Sequence, residues 1–197
     1  VGELMDDLER MHLLDDKARE LCGMTLETAH RLTTDSLIEL LEPLPRFMMS
    51  ELLTAEADAC HPDMEREQEL RLKALRLLAT LHDQPNLCGL RDVRLRELKR
   101  ATLPLLTAED LMNCARFFVQ AERYDEMEDA LFQALPLTDE ATREADRDEA
   151  IRMLRRASRS TERALALCGM TSQELRESAH ELSDAIHEIP KEQENPE

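Results

Sequence analysis

Apolar residues recur at three- and four-residue spacing along most of the chain, and no stretch sustains the alternation of a half-buried strand. The clearest pattern lies between Thr107 and Leu135. Thr107, with Asp110 three residues on, spells a capping box, and Leu111, Cys114, Ala115 and Phe118 then share one helical face. A second helix is predicted from near Tyr124, with Tyr124, Met127, Leu131, Ala134 and Leu135 on its apolar side. Asp125, Glu126, Glu128 and Asp129 crowd its early turns, where the helix dipole favours negative charge, and Pro136 ends it. The expected unit is a pair of short helices folded back on each other.

The same periodicity extends on both sides. Leu4, Leu8, Met11, Ala18, Leu21 and Cys22 predict a first helix stopped by Gly23. The segment Leu-Cys-Gly-Met-Thr at 21–25 returns at 167–171, so each copy predicts a helix corner: glycine just past a helix end, methionine folding back, threonine capping the next helix. In the second copy Thr171 and Glu174 spell another capping box. Between the copies, Leu37, Ile38, Leu40 and Leu41 predict a short helix broken by Pro43 and Pro45. Phe47, Met48, Leu52 and Ala55 predict another, and the Phe47–Met49 cluster is expected in the core. His61 and Pro62 mark a joint. The longest helix is expected from Asp63 to Leu81, with an apolar surface broad enough to need two neighbours. Pro85, Asn86 and Gly89 are expected to form a loop before a helix over Leu90–Leu103.

A helix, a short turn and a tyrosine opening a second helix is the arrangement of a tetratricopeptide unit. More narrowly, Arg116 to Leu135 (RFFVQAERYDEMEDALFQAL) resembles the matching segment of an uncharacterised bacterial family of tetratricopeptide-like helical proteins, a domain of unknown function. That family favours glycine in the turn and alanine three places after the tyrosine. This chain has Glu122 and Met127 there. The resemblance covers Asn113–Leu135, extends more weakly over about Ala18–Leu81, and implies a fold and no activity.

Composition narrows the functional classes. The chain of 197 residues is 42% hydrophobic and 35% charged, with four glycines, one tyrosine and no tryptophan, a helix-forming mixture. Forty-three acidic against twenty-five basic residues give a formal charge of -18, which opposes binding to nucleic acid or an anionic membrane. Five cysteines, Cys22, Cys60, Cys88, Cys114 and Cys168, are odd in number and widely spread, suggesting neither a disulfide framework nor a zinc ribbon and pointing to a reducing cytoplasm. A redox or metal pair of Cys22 with Cys168 would require the two repeated corners to meet. No apolar run reaches membrane-spanning length. No phosphate-cradling glycine loop, Gly-x-Ser-x-Gly elbow or recognisable nucleophile pairing appears, so no catalytic residue is assigned and an enzyme is not expected.

Two constellations carry candidate chemistry. Over a single helix expected from Ala141 to Leu167, Arg152, Arg155, Arg156, Arg159 and Arg163 fall within an arc of about a quarter turn, opposite Leu154, Ala157, Thr161, Ala164, Leu165 and Cys168. Guanidinium groups grip carboxylates and phosphates in bidentate fashion, so this stripe could hold an anionic ligand or an acidic partner. The same letters also describe a solvated face paired with acidic neighbours. Aromatic residues to stack bases are missing nearby. In the last helix Leu175, Ala179, Leu182, Ile186 and Ile189 form the apolar stripe, while Glu177, His180, Asp184 and His187 share the other side. A metal would need a further ligand and supporting partners that are not identifiable, so no metal or other cofactor is assigned.

The expectation is therefore an all-α chain of antiparallel helical hairpins, either a tetratricopeptide-like right-handed array or an irregular helical bundle. Residues 1–189 are expected to form one domain with its hairpin core at 107–135, and 190–197 a disordered acidic tail. The expected function is protein–protein interaction or scaffolding in the cytoplasm. The competing expectation is a regulatory domain binding a small anion or nucleotide through Arg152, Arg155, Arg156, Arg159 and Arg163. A protein partner is expected, nucleic acid and membrane are not, and homodimerisation is one way to cover terminal apolar faces.

Overall fold

The computed structural model describes residues 26–60 and 63–184, and these form an all-α fold with no strand. Ten α-helices succeed one another along them: α1 Leu26–Arg31, α2 Thr34–Leu40, α3 Pro43–Ala59, α4 Met64–Ala79, α5 Pro85–Thr102, α6 Ala108–Gln120, α7 Tyr124–Ala134, α8 Arg143–Ala157, α9 Glu162–Leu167 and α10 Ser172–Asp184. The expected first helix, the first Leu-Cys-Gly-Met-Thr corner, Cys22, His61, Pro62, Ile186, His187, Ile189 and the tail at 190–197 lie outside the described residues.

The helices arrange in two layers. In the first, α2 packs on α4, α4 on α6 and α6 on α8. Behind them, α3 and α5 pack on α4, α7 on α6, and α10 on α8. Each of α4, α6 and α8 thus meets both a first-layer neighbour and a helix behind. That explains the breadth of apolar surface on α4, where Leu70, Ala74, Leu75, Leu77, Leu78 and Ala79 are all buried. Buried apolar side chains from Ala29 to Leu182 make one connected core, in which Phe117 and Phe118 meet edge to face at 6.2 Å.

Local chemistry sets the boundaries. Thr107 accepts a hydrogen bond from the Asp110 amide while the Asp110 carboxylate accepts from the Thr107 amide, the reciprocal box expected from the sequence. At the other end of α6 the Arg123 amide reaches the Phe118 carbonyl and the Glu122 amide reaches Val119. This is a Schellman turn whose left-handed residue is Glu122, at φ +56°. The second Leu-Cys-Gly-Met-Thr corner is the same turn: the Met170 amide reaches Leu165, the Gly169 amide reaches Ala166, and Gly169 has φ +70°. Thr171 and Glu174 then cap α10 reciprocally, as expected. Two Leu-Pro-Leu segments, Leu103–Leu105 and Leu135–Leu137, each fold into a single 3-10 turn after α5 and α7. Proline supplies the pre-set φ and cannot extend the preceding helix.

Several expectations are corrected. Pro85, Asn86 and Gly89 do not form a loop; they are the first turn and a half of α5, because proline in the first helical turn gives up an amide that has no partner there anyway. α5, at 18 residues, is therefore longer than α4, at 16, and bends where Arg91 leaves helical geometry (φ -129°, ψ 16°). On α3 the buried side is Phe47, Met48, Met49, Leu53 and Ala57, with Ala55 exposed, so the apolar face is rotated from the one expected. The helix expected over Ala141–Leu167 is two helices. Ser158, Ser160 and Thr161 carry out the break: Ser158 donates to the Arg155 carbonyl, Ser160 bonds the Tyr124 hydroxyl, and Thr161 caps α9 by accepting from the Ala164 amide. Short hydroxyl side chains compete with the helix for backbone groups, and here three fall within four residues.

Ion pairs join the layers laterally. Arg76 of α4 grips Asp110 of α6 through two bonds of 2.8 and 2.9 Å, 34 residues apart in sequence. Arg116 of α6 grips Glu149 of α8 through bonds of 2.7 and 2.6 Å, 33 residues apart. In the second layer Arg91 of α5 reaches Glu51 of α3 at 3.1 Å and lies over the Phe47 ring. Arg96 and the buried Lys99 of α5 converge on Glu126 of α7, and Arg123 reaches Asp92. Arg91, Arg96 and Lys99 of α5 and Arg123 are thus the lateral ties of the second layer.

Candidate functional site

Hollows line the exposed face of the first layer. Asp35, Ile38 and Glu39 of α2, Arg76 and Thr80 at the end of α4, and Glu109 and Asn113 of α6 enclose a hollow of about 520 Å³. A second hollow of about 480 Å³ lies between the start of α6 and the approach to α8, lined by Thr107, Glu109, Met112, Arg116, Leu137 and Asp146 among others. A third, of about 410 Å³, lies between the α4–α5 turn, the end of α6 and α8. The first two share Thr107 and Glu109, and the second and third share Arg116, so the three hollows adjoin along the first-layer face.

Charge is divided along it. Asp35, Glu39, Glu109 and Asp146 line the first two hollows without a side-chain hydrogen bond or salt bridge to a described residue, although Asp35 and Glu109 act on the charge of Arg76, and Glu109 and Asp146 on that of Arg116. The arginines there are committed. Burial alone would raise the Asp110 pKa, but hydrogen bonds from Arg76 and from the Thr107 backbone outweigh it and hold the carboxyl below its usual value. The hydrogen bond from Arg116 likewise holds Glu149 low. The third hollow is lined by Arg152 and Arg156 of α8 together with His82, Val119 and Met153, and the charge of Arg152 adds to that of Arg116 in holding Glu149 low. Burial, and then the charge of Arg116, push the His82 pKa down, which keeps its imidazole neutral near pH 7.

The break after α8 divides the five arginines predicted as one stripe. Arg152 and Arg156 line the third hollow; Arg155 is on α8 but does not; Arg159 is in the turn and Arg163 on α9. All five are exposed and none makes a salt bridge with a described residue, though Arg152 acts on the neighbouring Glu149 carboxylate, as a solvated face with an acidic neighbour would. The groove residues that sequence reasoning missed are His82, Asp35, Glu39 and Glu109. The 33–34-residue spacing of the two arginine clasps was the signal that could have placed them on adjoining helices.

Elsewhere, His180 pairs with Asp184 at 3.0 Å on the exposed side of α10, and no group of three His, Cys, Asp or Glu among the described residues is placed to hold a metal ion. Cys60, Cys88, Cys114 and Cys168 are free thiols. Cys168 donates to the Glu122 carbonyl at 3.1 Å, tying the α9–α10 corner to the α6–α7 turn. No helix among the described residues is long and apolar enough to cross a membrane. No family model, curated protein or solved structure matches the chain.

Proposed function

We propose that this chain is a tetratricopeptide-like interaction module that binds a protein segment in the groove formed by α2, α4, α6 and α8. The observation that carries the reading is the lateral succession of these helices, with Arg76–Asp110 and Arg116–Glu149 clasping neighbours at a separation of 34 and 33 residues. A tetratricopeptide repeat has a period of about 34 residues, and stacked repeats present their first helices as an extended concave surface. A function in binding also suits a face that carries charges of both signs outside its two clasps, because such charges steer and orient a partner more than they stabilise the fold. The partner segment carries cationic side chains opposite Asp35, Glu39 and Glu109 and anionic ones opposite Arg152 and Arg156.

The test is affinity capture from the native source with the intact chain, Glu39→Lys/Glu109→Lys in the groove, and Glu97→Lys on the second layer. The reading predicts proteins captured by wild type and by Glu97→Lys but lost from the groove variant, with helix content unchanged in all three. Equal capture by all three proteins refutes the groove as the binding face.

A further inference from the structure

We infer that the hollow between His82, Arg116, Arg152 and Arg156 is a binding site for a small phosphate monoester with an apolar body. This goes beyond the partner-binding reading and does not rest on it: it gives the third hollow a small ligand of its own, held by the same Arg152 and Arg156 that a partner's anionic side chains would meet. Arg152 and Arg156 are four residues apart on α8, so their side chains leave the same face one turn apart and both reach the hollow. Their freedom sets them apart from the other arginines of the layer interfaces, since Arg76, Arg91, Arg96, Arg116 and Arg123 all meet carboxylates. In a chain with forty-three acidic residues, neither of these two adjacent guanidiniums makes a salt bridge or a side-chain hydrogen bond with a described residue; the Glu149 carboxylate, held by Arg116, is the charge that Arg152 feels.

The rest of the lining suits an anion with a hydrocarbon part. Glu149 is the one carboxylate at the hollow, and both of its oxygens accept from Arg116, so its charge is already neutralised toward an incoming anion. The His82 ring makes no hydrogen bond or ion pair with a described residue and is half-buried, leaving a neutral N–H donor among the residues that line the hollow. Gln120 supplies a further polar group to the lining, and Val119 and Met153 supply apolar surface. The volume, about 410 Å³, lies within the range of small-molecule sites. Two guanidinium forks match a doubly charged phosphate ester, whereas a single carboxylate would satisfy one of them.

The experiment is isothermal titration of the full chain with phenyl phosphate, alongside inorganic phosphate and benzyl alcohol. The proposal predicts saturable one-site binding of phenyl phosphate, weaker binding of inorganic phosphate and none of benzyl alcohol. Arg152→Gln/Arg156→Gln weakens phenyl phosphate by about tenfold or more. Arg159→Gln/Arg163→Gln makes the same change in net charge outside the hollow and leaves the affinity at the wild-type value; circular dichroism checks that both variants stay folded. Absence of saturable binding at millimolar phenyl phosphate overturns the site, as does an equal loss in both double variants, which marks a net-charge effect. Equal affinity for inorganic phosphate overturns the apolar body. Loss of protein capture in the groove variant with phenyl phosphate binding intact would show that the two proposals stand separately.

Discussion

Replacing Glu122 by glycine should stabilise the protein. Glu122 occupies the left-handed position of the α6–α7 Schellman turn at φ +56°, and its exposed side chain makes no hydrogen bond or ion pair with a described residue. A residue with a Cβ meets its own backbone there, at a cost of about 1–2 kcal/mol. Glycine removes that strain but loses more conformational freedom on folding, which takes back about 0.5–1 kcal/mol. The net expectation for Glu122→Gly is a gain of about 0–1.5 kcal/mol, centred on about 0.75 kcal/mol, or a Tm higher by about 2–3 °C at that centre for a chain of this size. Urea unfolding followed by far-ultraviolet circular dichroism measures it, with the midpoint rising at unchanged slope. A midpoint below wild type refutes the turn geometry, because nothing else at this position offsets the glycine.

Gly169, the corresponding residue of the α9–α10 corner, gives the opposite sign: a Cβ there meets nothing within 4 Å, so Gly169→Ala costs about 1 kcal/mol through backbone strain alone, read as a lower urea midpoint. Burial pushes the Cys88 and Cys114 thiols up to about 12, so with a thiol reagent at neutral pH these two are modified only as the chain unfolds, while Cys60 and Cys168 are accessible sooner; peptide mapping after timed labelling checks the order. Asp110 and Glu149 have lowered folded-state pKa values, so the stability they contribute is present above their unfolded values near pH 4 and is lost as pH falls through the folded ones. Asp110→Asn/Glu149→Gln is therefore less stable than wild type at neutral pH and loses less on acidification, measured as urea midpoints from about pH 6 to about pH 3.

Much of the helix pattern was legible because it rests on local chemistry. The Thr107–Asp110 box, the Tyr124 start of α7 and the Gly169 corner depend on residues within one turn of each other, and all three appear where the sequence placed them. The pattern misleads where one residue type has two uses. Pro85 reads as a breaker although it opens α5, and the hydroxyls of Ser158, Ser160 and Thr161 read as part of a helix although they end one and cap another. That second ambiguity joins Arg159 and Arg163 to a stripe whose groove-lining members are Arg152 and Arg156. The site was less legible because its residues converge through tertiary contacts. His82 lies in a turn with no motif, and nothing near it in sequence says that Arg152 will face it. The clasps Arg76–Asp110 and Arg116–Glu149 recur at nearly constant separation, but each arginine and each acid is one among many in a highly charged chain.

The central claim is that the face formed by α2, α4, α6 and α8 is the one that meets a partner. Hydrogen–deuterium exchange of the intact chain, with and without a captured partner, tests it most directly. The account predicts added protection in peptides from Thr34–Leu40, the end of Met64–Ala79, Ala108–Gln120 and Arg143–Ala157. Protection confined to Pro43–Ala59, Pro85–Thr102 and Tyr124–Ala134, with the groove helices unchanged, would place the partner on the second layer and contradict it.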